Sequence, residues 1–315
     1  MTPLPYRIID AFTSSPYSGN PAAVVLFSSA DDSRSADPEY MVKVSREFAL
    51  SETAFLVPQT PVRESPVRTA SLVPQSSADS TPNYGLRWFT PTVEFPLCGH
   101  ATLASSHFLF TEQHPDATRL QFETMSGTLY ASKLAGGRIE LDFPADVRTA
   151  DAVHATEEDK LRGRLQQVDA ALAAAVVGVA RGKLGWIIEL SQDFALEKME
   201  IDPSPLRDLP GYFMFTQSAK TQHAGYDIYT RVLDPVEADP EDAVTGSAHC
   251  MLAPYWLTSA SSRLPNPEQS VQSKTLRAKQ GGRRQGSLEA EWDVEAGRVK
   301  LRGSAVTVAE GRLLA

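Results

Sequence analysis

The first sixty residues alternate between short apolar runs and one amphipathic stretch. Residues 6–12 and 22–27 are rich in β-branched, aromatic and small apolar side chains, and they predict two strands joined by a turn-rich segment. Residues 38–50 carry apolar side chains at helical spacing after Asp37, so we expect a helix capped by that residue. A further strand is predicted at 54–57.

Two polar stretches interrupt this pattern. Residues 58–84 are rich in Pro, Ser, Thr and Gln and contain few large apolar side chains, so they cannot form a core of their own. We interpret them as a surface loop or disordered insertion, which is either a lid or inert. Residues 260–273 have a similar composition. The run at 280–287 is typical of a hairpin turn that precedes a strand at 288–292.

Two later segments, 98–110 and 245–253, are apolar or small on nearly every helical face, which is typical of helices buried on all sides. Each segment follows a strand that ends at a proline turn. Aligning Gly99 with Gly246 superposes the two segments and brings the preceding strands close to register. This pattern indicates an internal duplication at a spacing close to half the chain.

The duplication predicts an α/β (α+β) fold of two pseudo-symmetric halves. In each half, a curved, barrel-like mixed sheet surrounds one central buried helix, because helices do not alternate with the strands regularly enough for a doubly wound parallel sheet. We assign residues 1–127 to the first half, with 58–84 as its insertion, and 128–304 to the second. Residues 305–315 are candidates for packing back on the first half.

The charge balance narrows the classes of function. There are 30 Lys and Arg against 39 Asp and Glu, and the resulting net charge of −9 repels polyanions, so no nucleic-acid partner is expected. Cys98 and Cys250 lack the spacing of a metal site or a disulfide framework. No run of about 18 apolar residues suggests a membrane span. We predict a soluble, cytoplasmic protein without a membrane partner or a metal.

Three residues are candidates for proton chemistry. Glu52 is either an exposed turn residue, which is the commoner case, or a carboxylate whose pKa burial raises toward neutrality, as suits a general acid or base. His100 lies in the first turn of an apolar helix, where the dipole disfavours its charged form, or it is a capping or core histidine. Cys98 directly precedes that helix, and the dipole should lower its thiol pKa.

The starts of the two apolar helices form a candidate anion site. Their first N–H groups have no intrahelical partner and lie at the positive end of the helix dipole. If the halves face each other, the starts at Gly99 and Gly246 converge on one cleft that would receive a carboxylate. Otherwise they are two ordinary N-terminal turns. Asp242 and Ser247 flank the second start, either as members of this site or as caps.

Several blocks of sequence together resemble the PhzF-like (phenazine biosynthesis-like) isomerase family, and they follow the family's order over nearly the whole chain. The blocks are 10–13 with 19–22, 51–55, 87–91, 98–102, 241–249, and the late 280–281 and 286–287. The resemblance implies a fold similar to that of diaminopimelate epimerase, an active site in the cleft between the halves, no cofactor and a homodimer.

By the same resemblance, Glu52 is the general acid/base that moves a proton, and His100 and Asp242 assist proton delivery or orient the substrate. The residues expected to bind the substrate are Gly99, Ala101, Gly246, Ser247, Cys98 and Thr245. The expected function is cofactor-independent isomerisation of a small carboxylate-bearing metabolite.

One departure from related enzymes affects this expectation. Epimerases of this fold use a pair of opposed cysteines, one in each half, whereas here Cys98 is matched by Thr245. A two-thiol racemase is therefore disfavoured. Two alternatives remain: epimerisation or racemisation of an amino acid with Cys98 and another group as bases, and a non-catalytic metabolite-binding or scaffold protein. The substrate does not follow from the sequence.

Overall fold

The computed structural model describes residues 2–59, 62–63, 80–147, 155–219, 223–237 and 239–314. The strands are β1 Leu4–Ala11, β2 Asn20–Leu26, β3 Glu52–Pro58, β4 Val62–Arg63, β5 Ser80–Thr81, β6 Asn83–Phe89, β7 Glu94–Phe95, β8 Arg119–Thr124, β9 Gly127–Lys133, β10 Ile139–Pro144, β11 Val176–Arg181, β12 Gly185–Leu190, β13 Tyr212–Ser218, β14 Ile228–Leu233, β15 Glu241–Asp242, β16 Thr275–Gln280, β17 Gly286–Asp293, β18 Arg298–Gly303 and β19 Ala305–Leu313. The helices are α1 Pro38–Phe48, α2 Gly99–Phe108, α3 Ala155–Val168, α4 Ala170–Ala174, α5 Gly246–Leu257 and α6 Pro267–Ser273.

The chain forms two compact units. The first comprises Met1–Ala11, Pro21–Leu141 and Ser304–Ala315, and the second comprises Phe12–Asn20 and Asp142–Gly303. The division falls later than the boundary we drew after residue 127, because β9 pairs with β8 of the first unit along its whole length. The C-terminal strand β19 pairs antiparallel with β1 of the same unit.

The first unit has a mixed sheet. Strand β2 is parallel to β3, β3 is antiparallel to β6, and β6 is antiparallel to the short β7 and parallel to β8. Helix α2 packs against β1, β3 and β19. Helix α1 begins as the sequence predicts: the Asp37 side chain accepts hydrogen bonds from two backbone N–H groups, and Pro38 occupies the first helical position.

The second unit repeats this order of strands. Strand β12 is parallel to β13, β13 is antiparallel to β14, and β14 is antiparallel to the short β15 and parallel to β16. Strands β16 and β17 form an antiparallel hairpin, as β8 and β9 do in the first unit. Helix α5 packs against β16, β17 and β18. The predicted duplication is therefore confirmed.

Both apolar helices are central to their own unit. Every residue of α2 except His107 is buried, and every residue of α5 except Ser247 is buried. This agrees with the absence of a polar face in either segment. In the described part of the chain, no helix combines the length and apolarity needed to cross a membrane.

The local predictions differ from the structure at several points. The segment predicted as one helix over 98–110 leaves α-helical geometry after Phe108 and continues as a π-helical turn, Leu109–Gln113. The polar segment 260–273 is not entirely loop, because α6 begins there at Pro267, which is pre-organised for a first helical position. Of the predicted insertion, residues 60–61 and 64–79 lie outside the described residues; β4 and β5 pair antiparallel.

Candidate active site

One candidate site lies where β3 and α2 begin in the first unit. Glu52 is the first residue of β3, in register with Ala22 of the parallel strand β2. Cys98 is the N-cap residue of α2, and His100 lies in the first turn of that helix. Because α2 packs on β3, the start of the strand and the start of the helix bring these side chains together.

The imidazole of His100 lies between the carboxylate and the thiol. Its Nε2 is 3.1 Å from Glu52 Oε2 and 3.3 Å from Ser51 Oγ, and its Nδ1 is 3.5 Å from Cys98 Sγ. The histidine and the cysteine are almost fully buried, and the Glu52 side chain keeps 15% of its surface exposed. The three side chains form one chain of contacts in which only Glu52 has appreciable access to solvent.

The neighbours decide the charge states in this cluster. Burial alone would raise the pKa of Glu52, but the charge and the hydrogen bond of His100 outweigh it and lower that pKa. Burial alone would lower the pKa of His100, but the adjacent Cys98 and Glu52 raise it well above its usual range. Burial and the Glu52 charge raise the pKa of Cys98. These directions favour the charged forms of Glu52 and His100 and the protonated form of Cys98.

Three expectations from the sequence are corrected here. Glu52 is not an exposed turn residue, and its pKa is lowered because a histidine adjoins it. His100 is not held neutral by the helix dipole, because the contact with a carboxylate is closer and stronger than the dipole. The dipole does not lower the pKa of Cys98, because the thiol is buried beside a negative charge.

The same side chains also offer donor atoms that a cation such as Zn²⁺ accepts, and the atoms lie within 4.8 Å of one another. However, His100 turns Nδ1 toward Cys98 and Nε2 toward Glu52. A metal ion bound to one ring nitrogen could take the place of only one of these two contacts. The arrangement fits a proton relay better than a metal centre.

The second unit holds a different polar group at the start of α5. Thr245 is the N-cap residue of this helix, and its hydroxyl donates to Asp242 Oδ2 at 2.6 Å. Asn20 Nδ2 donates to Asp242 Oδ1 at 2.6 Å. Gln280 donates to the Thr245 hydroxyl at 2.9 Å and accepts from the Thr245 N–H at 3.0 Å. Asp242 and Thr245 are thus brought together.

The remaining predicted residues belong to the first turns of the two helices. Gly99 and Ala101 are buried at the start of α2; Gly246 is buried and Ser247 half-buried at the start of α5. Neither Cys98 nor Thr245 caps its helix through its side chain. That the two starts serve one substrate stays a prediction.

Sequence reasoning did not assign a role to Ser51, Asn20 or Gln280. Each belongs to a block that carries the family resemblance, and that was the available signal. The contacts themselves could not be inferred, since Asn20 and Asp242 are separated by 222 positions and Thr245 and Gln280 by 35.

The family model described as phenazine biosynthesis-like protein, PhzC-PhzF, matches residues 9–311. The chain belongs to the PhzC-PhzF family. This confirms the resemblance drawn from the sequence blocks. Relatives of this PhzC-PhzF protein include an uncharacterized isomerase of Halalkalibacterium halodurans, 35% identical with 100% of both chains covered. Phenazine biosynthesis-like domain-containing protein 2 of Mus musculus is 34% identical, with 99% of both covered.

Solved structures agree with this assignment. The crystal structure of a PhzF-family protein from Enterococcus faecalis matches with a TM-score of 0.74 at 28% identity and covers 100% of both chains. A probable proline racemase from Agrobacterium radiobacter matches with a TM-score of 0.54 at 10% identity, covering 98% of this chain and 92% of its own, and shows the fold alone. The predicted diaminopimelate epimerase-like fold is confirmed, and the relatives support an isomerase-type enzyme.

Proposed function

We propose that this PhzC-PhzF protein is an acid/base isomerase that moves a proton on a small carboxylate-bearing metabolite without a cofactor. The observation that carries the proposal is the 3.1 Å contact between Glu52 Oε2 and His100 Nε2 in a largely buried cluster. It supports a base and an acid held side by side, which is the requirement for removing a proton from one carbon and returning it to another.

Each residue of the cluster has a role in this scheme. The Glu52 carboxylate, which retains access to solvent, removes a proton from a C–H bond of the substrate. His100, positively charged, stabilises the carboxylate before the step and can relay a proton after Glu52 has become neutral. The negative charge that develops on the substrate delocalises into its own conjugated system. Glu52 then returns the proton at a different carbon, so the double bond moves and no net proton is consumed.

The proposal is tested by proton exchange. The full chain is incubated in D₂O with a panel of small unsaturated carboxylates, and deuterium entry and double-bond position are followed by NMR. We expect one or more carboxylates to exchange and isomerise with the native protein. Glu52→Gln should lower the rate at least 10²-fold, the lower range for loss of a general acid/base.

Glu47→Gln is the matched control, because Glu47 is an exposed glutamate at the end of α1, outside the cluster. It should retain the native rate. Equal rates in the native and Glu52→Gln proteins would refute the assigned role. Carboxylates that bind without any exchange would favour the non-catalytic metabolite-binding alternative.

Epimerisation is a second candidate, favoured by the contact between Cys98 and His100. It requires a thiolate, whereas burial raises the pKa of Cys98, and the matching Thr245 hydroxyl is occupied by Asp242. The same experiment separates the two. Epimerisation predicts deuterium at the Cα of an amino acid and a loss of exchange in Cys98→Ala, whereas the isomerase should tolerate Cys98→Ala far better than Glu52→Gln.

A further inference from the structure

Asp242 is half-buried and belongs to a polar network whose other side chains are buried and have no part in the proton transfer described above. Its two carboxylate oxygens accept from different donors, Asn20 Nδ2 and Thr245 Oγ1, each at 2.6 Å. Gln280 is fully buried, and Asn20 is 2% exposed. Burying these polar side chains is costly unless their hydrogen bonds are made, so the network needs its partners in place.

The direction of each hydrogen bond in the network is fixed by backbone carbonyl oxygens, which can only accept. Gln280 Nε2 lies 3.0 Å from the Asp242 carbonyl, so this amide nitrogen also donates to Thr245 Oγ1. The Thr245 hydroxyl proton is then directed to Asp242 Oδ2. In the same way, Asn20 Nδ2 donates to the Val244 carbonyl at 2.9 Å, which sets this amide as a donor to Asp242 Oδ1.

The network diverts Thr245 from the usual role of its position. A threonine at the N-cap normally accepts a hydrogen bond from an N–H of the first helical turn. Here the side chain makes no such bond, and its hydroxyl serves Asp242 instead. Two donors on one carboxylate favour its ionised form.

Nearby charges and backbone contacts hold the network in place. Glu241 precedes Asp242, but its carboxylate is engaged by the Arg231 guanidinium at 2.6 and 2.7 Å. Arg284 donates to the carbonyls of Gly19 and Ser18 at 2.7 and 2.9 Å, which fixes the backbone directly before Asn20.

We propose that Gln280 and Asn20 are positioning residues that keep Asp242 ionised and orient its carboxylate as an acceptor at the start of α5. The inference rests on the proposed function in one respect: Asp242 is the anion that is expected to assist the proton transfer. It concerns the state of Asp242 itself, which can be observed without a substrate.

The test replaces the donor amide by a carboxylate of the same shape. Asp side chains of the full-length protein are labelled with ¹³C at the carboxyl carbon. The Asp242 resonance is assigned as the one that is missing from the spectrum of Asp242→Asn. The titration midpoint of the native Asp242 resonance is the reference for the variants. In Gln280→Glu, which cannot donate and adds a negative charge, the midpoint should move upward.

Gln192→Glu is the control for the change of amide to carboxylate, because Gln192 is an exposed amide that donates to a backbone carbonyl, that of Ala219, outside the network. Both variants add one negative charge, but only Gln280→Glu should move the Asp242 midpoint. An unchanged midpoint in Gln280→Glu overturns the proposal. If that variant does not fold, Asn20→Ala removes the donor to Asp242 Oδ1, and an unchanged midpoint there overturns the proposal equally.

The deuterium assay then separates this proposal from the proposed function. Once a substrate is known, Gln280→Glu should lower kcat/KM, whereas Gln192→Glu should retain it. Gln280→Asn, which keeps the amide on a shorter side chain, should give a kcat/KM between those two. If no carboxylate exchanges, the proposed function fails while the titration still decides the role of Gln280 and Asn20.

Discussion

At the scale of single residues, the contact between Glu52 and His100 predicts how the pKa of His100 responds to a mutation. Glu52 helps to raise the pKa of His100 against the effect of burial. Replacing Glu52 with Gln removes the charge and keeps the shape, so the pKa of His100 should fall below that in the native protein. Histidine ring NMR would measure it, with His114 as an internal reference, since its contact is to Tyr84. An unchanged pKa of His100 in Glu52→Gln would contradict the contact.

The same charges fix how the pair contributes to stability across pH. The pKa of Glu52 is lowered, so its contribution is present above its ordinary value of 4.5 and is lost as the pH falls through the folded-state value. The pKa of His100 is raised, so its contribution is full below 6.5 and is lost as the pH rises through the folded-state value. Both contributions are therefore present between about pH 4.5 and 6.5.

Residue types in this cluster could be predicted from the sequence, but their charge states could not. The sequence blocks 51–55 and 98–102 identified Glu52, Cys98 and His100 as members of the cluster. The sign of each pKa shift depended on burial and on which neighbour lay closest, and the closest contact joins residues from a strand and a helix that are distant in sequence. For His100, a carboxylate at 3.1 Å outweighed the helix dipole, which was the only influence visible locally.

At the scale of elements, each unit repeats an arginine–glutamate pair next to its central helix. Arg87 of β6 binds Glu94 of β7, and Arg231 of β14 binds Glu241 of β15, both through two hydrogen bonds. In each unit, the short strand holding the glutamate leads directly to the N-cap of the apolar helix. The pairs therefore fix the backbone that delivers Cys98 in one unit and Thr245 in the other.

The two pairs should differ in their contribution to stability. Arg231 is 5% exposed and also donates to the carbonyls of Leu196 and Met199, whereas the Arg87 side chain keeps 27% of its surface exposed. Arg231→Met should cost about 3 kcal/mol, the lower end for a buried pair, because it leaves the half-buried Glu241 carboxylate without its partner. Arg87→Met should cost about 1 kcal/mol.

Urea unfolding of the full-length variants measures both costs. Double-mutant cycles with Glu241→Gln and Glu94→Gln separate each ion pair from the other contacts of its arginine. A larger cost for Arg87→Met than for Arg231→Met would show that burial does not govern these pairs.

Elements with a strong apolar pattern were predicted well, and short elements were not. Helices α2 and α5 were recognisable because neither has a polar face. The two-residue strands β7 and β15 were not predicted, since two residues are too few to show a periodicity. Helix α6 was missed because its composition is polar and its main signal is the proline at its start.

At the scale of the whole molecule, the duplicated units have kept their topology and changed their chemistry. The positions that match in the two halves carry Cys98 against Thr245 and His100 against Ser247. One unit consequently holds a cluster of a glutamate, a histidine and a cysteine, and the other holds a carboxylate in a set of hydrogen-bond donors. Duplication could be predicted from one glycine-led apolar motif, but this division of roles required the hydrogen-bond partners of each side chain.

The charge of the whole molecule gives the last prediction. With a net charge of −9 and an isoelectric point of about 5.2, the protein should pass through a heparin column and bind an anion exchanger at pH 7 and low salt. Retention should reverse below the isoelectric point, as the carboxylates become protonated. A duplex DNA affinity at pH 7 that weakens with added salt would require a basic surface strong enough to overcome the net charge, and would contradict a function confined to small anionic metabolites.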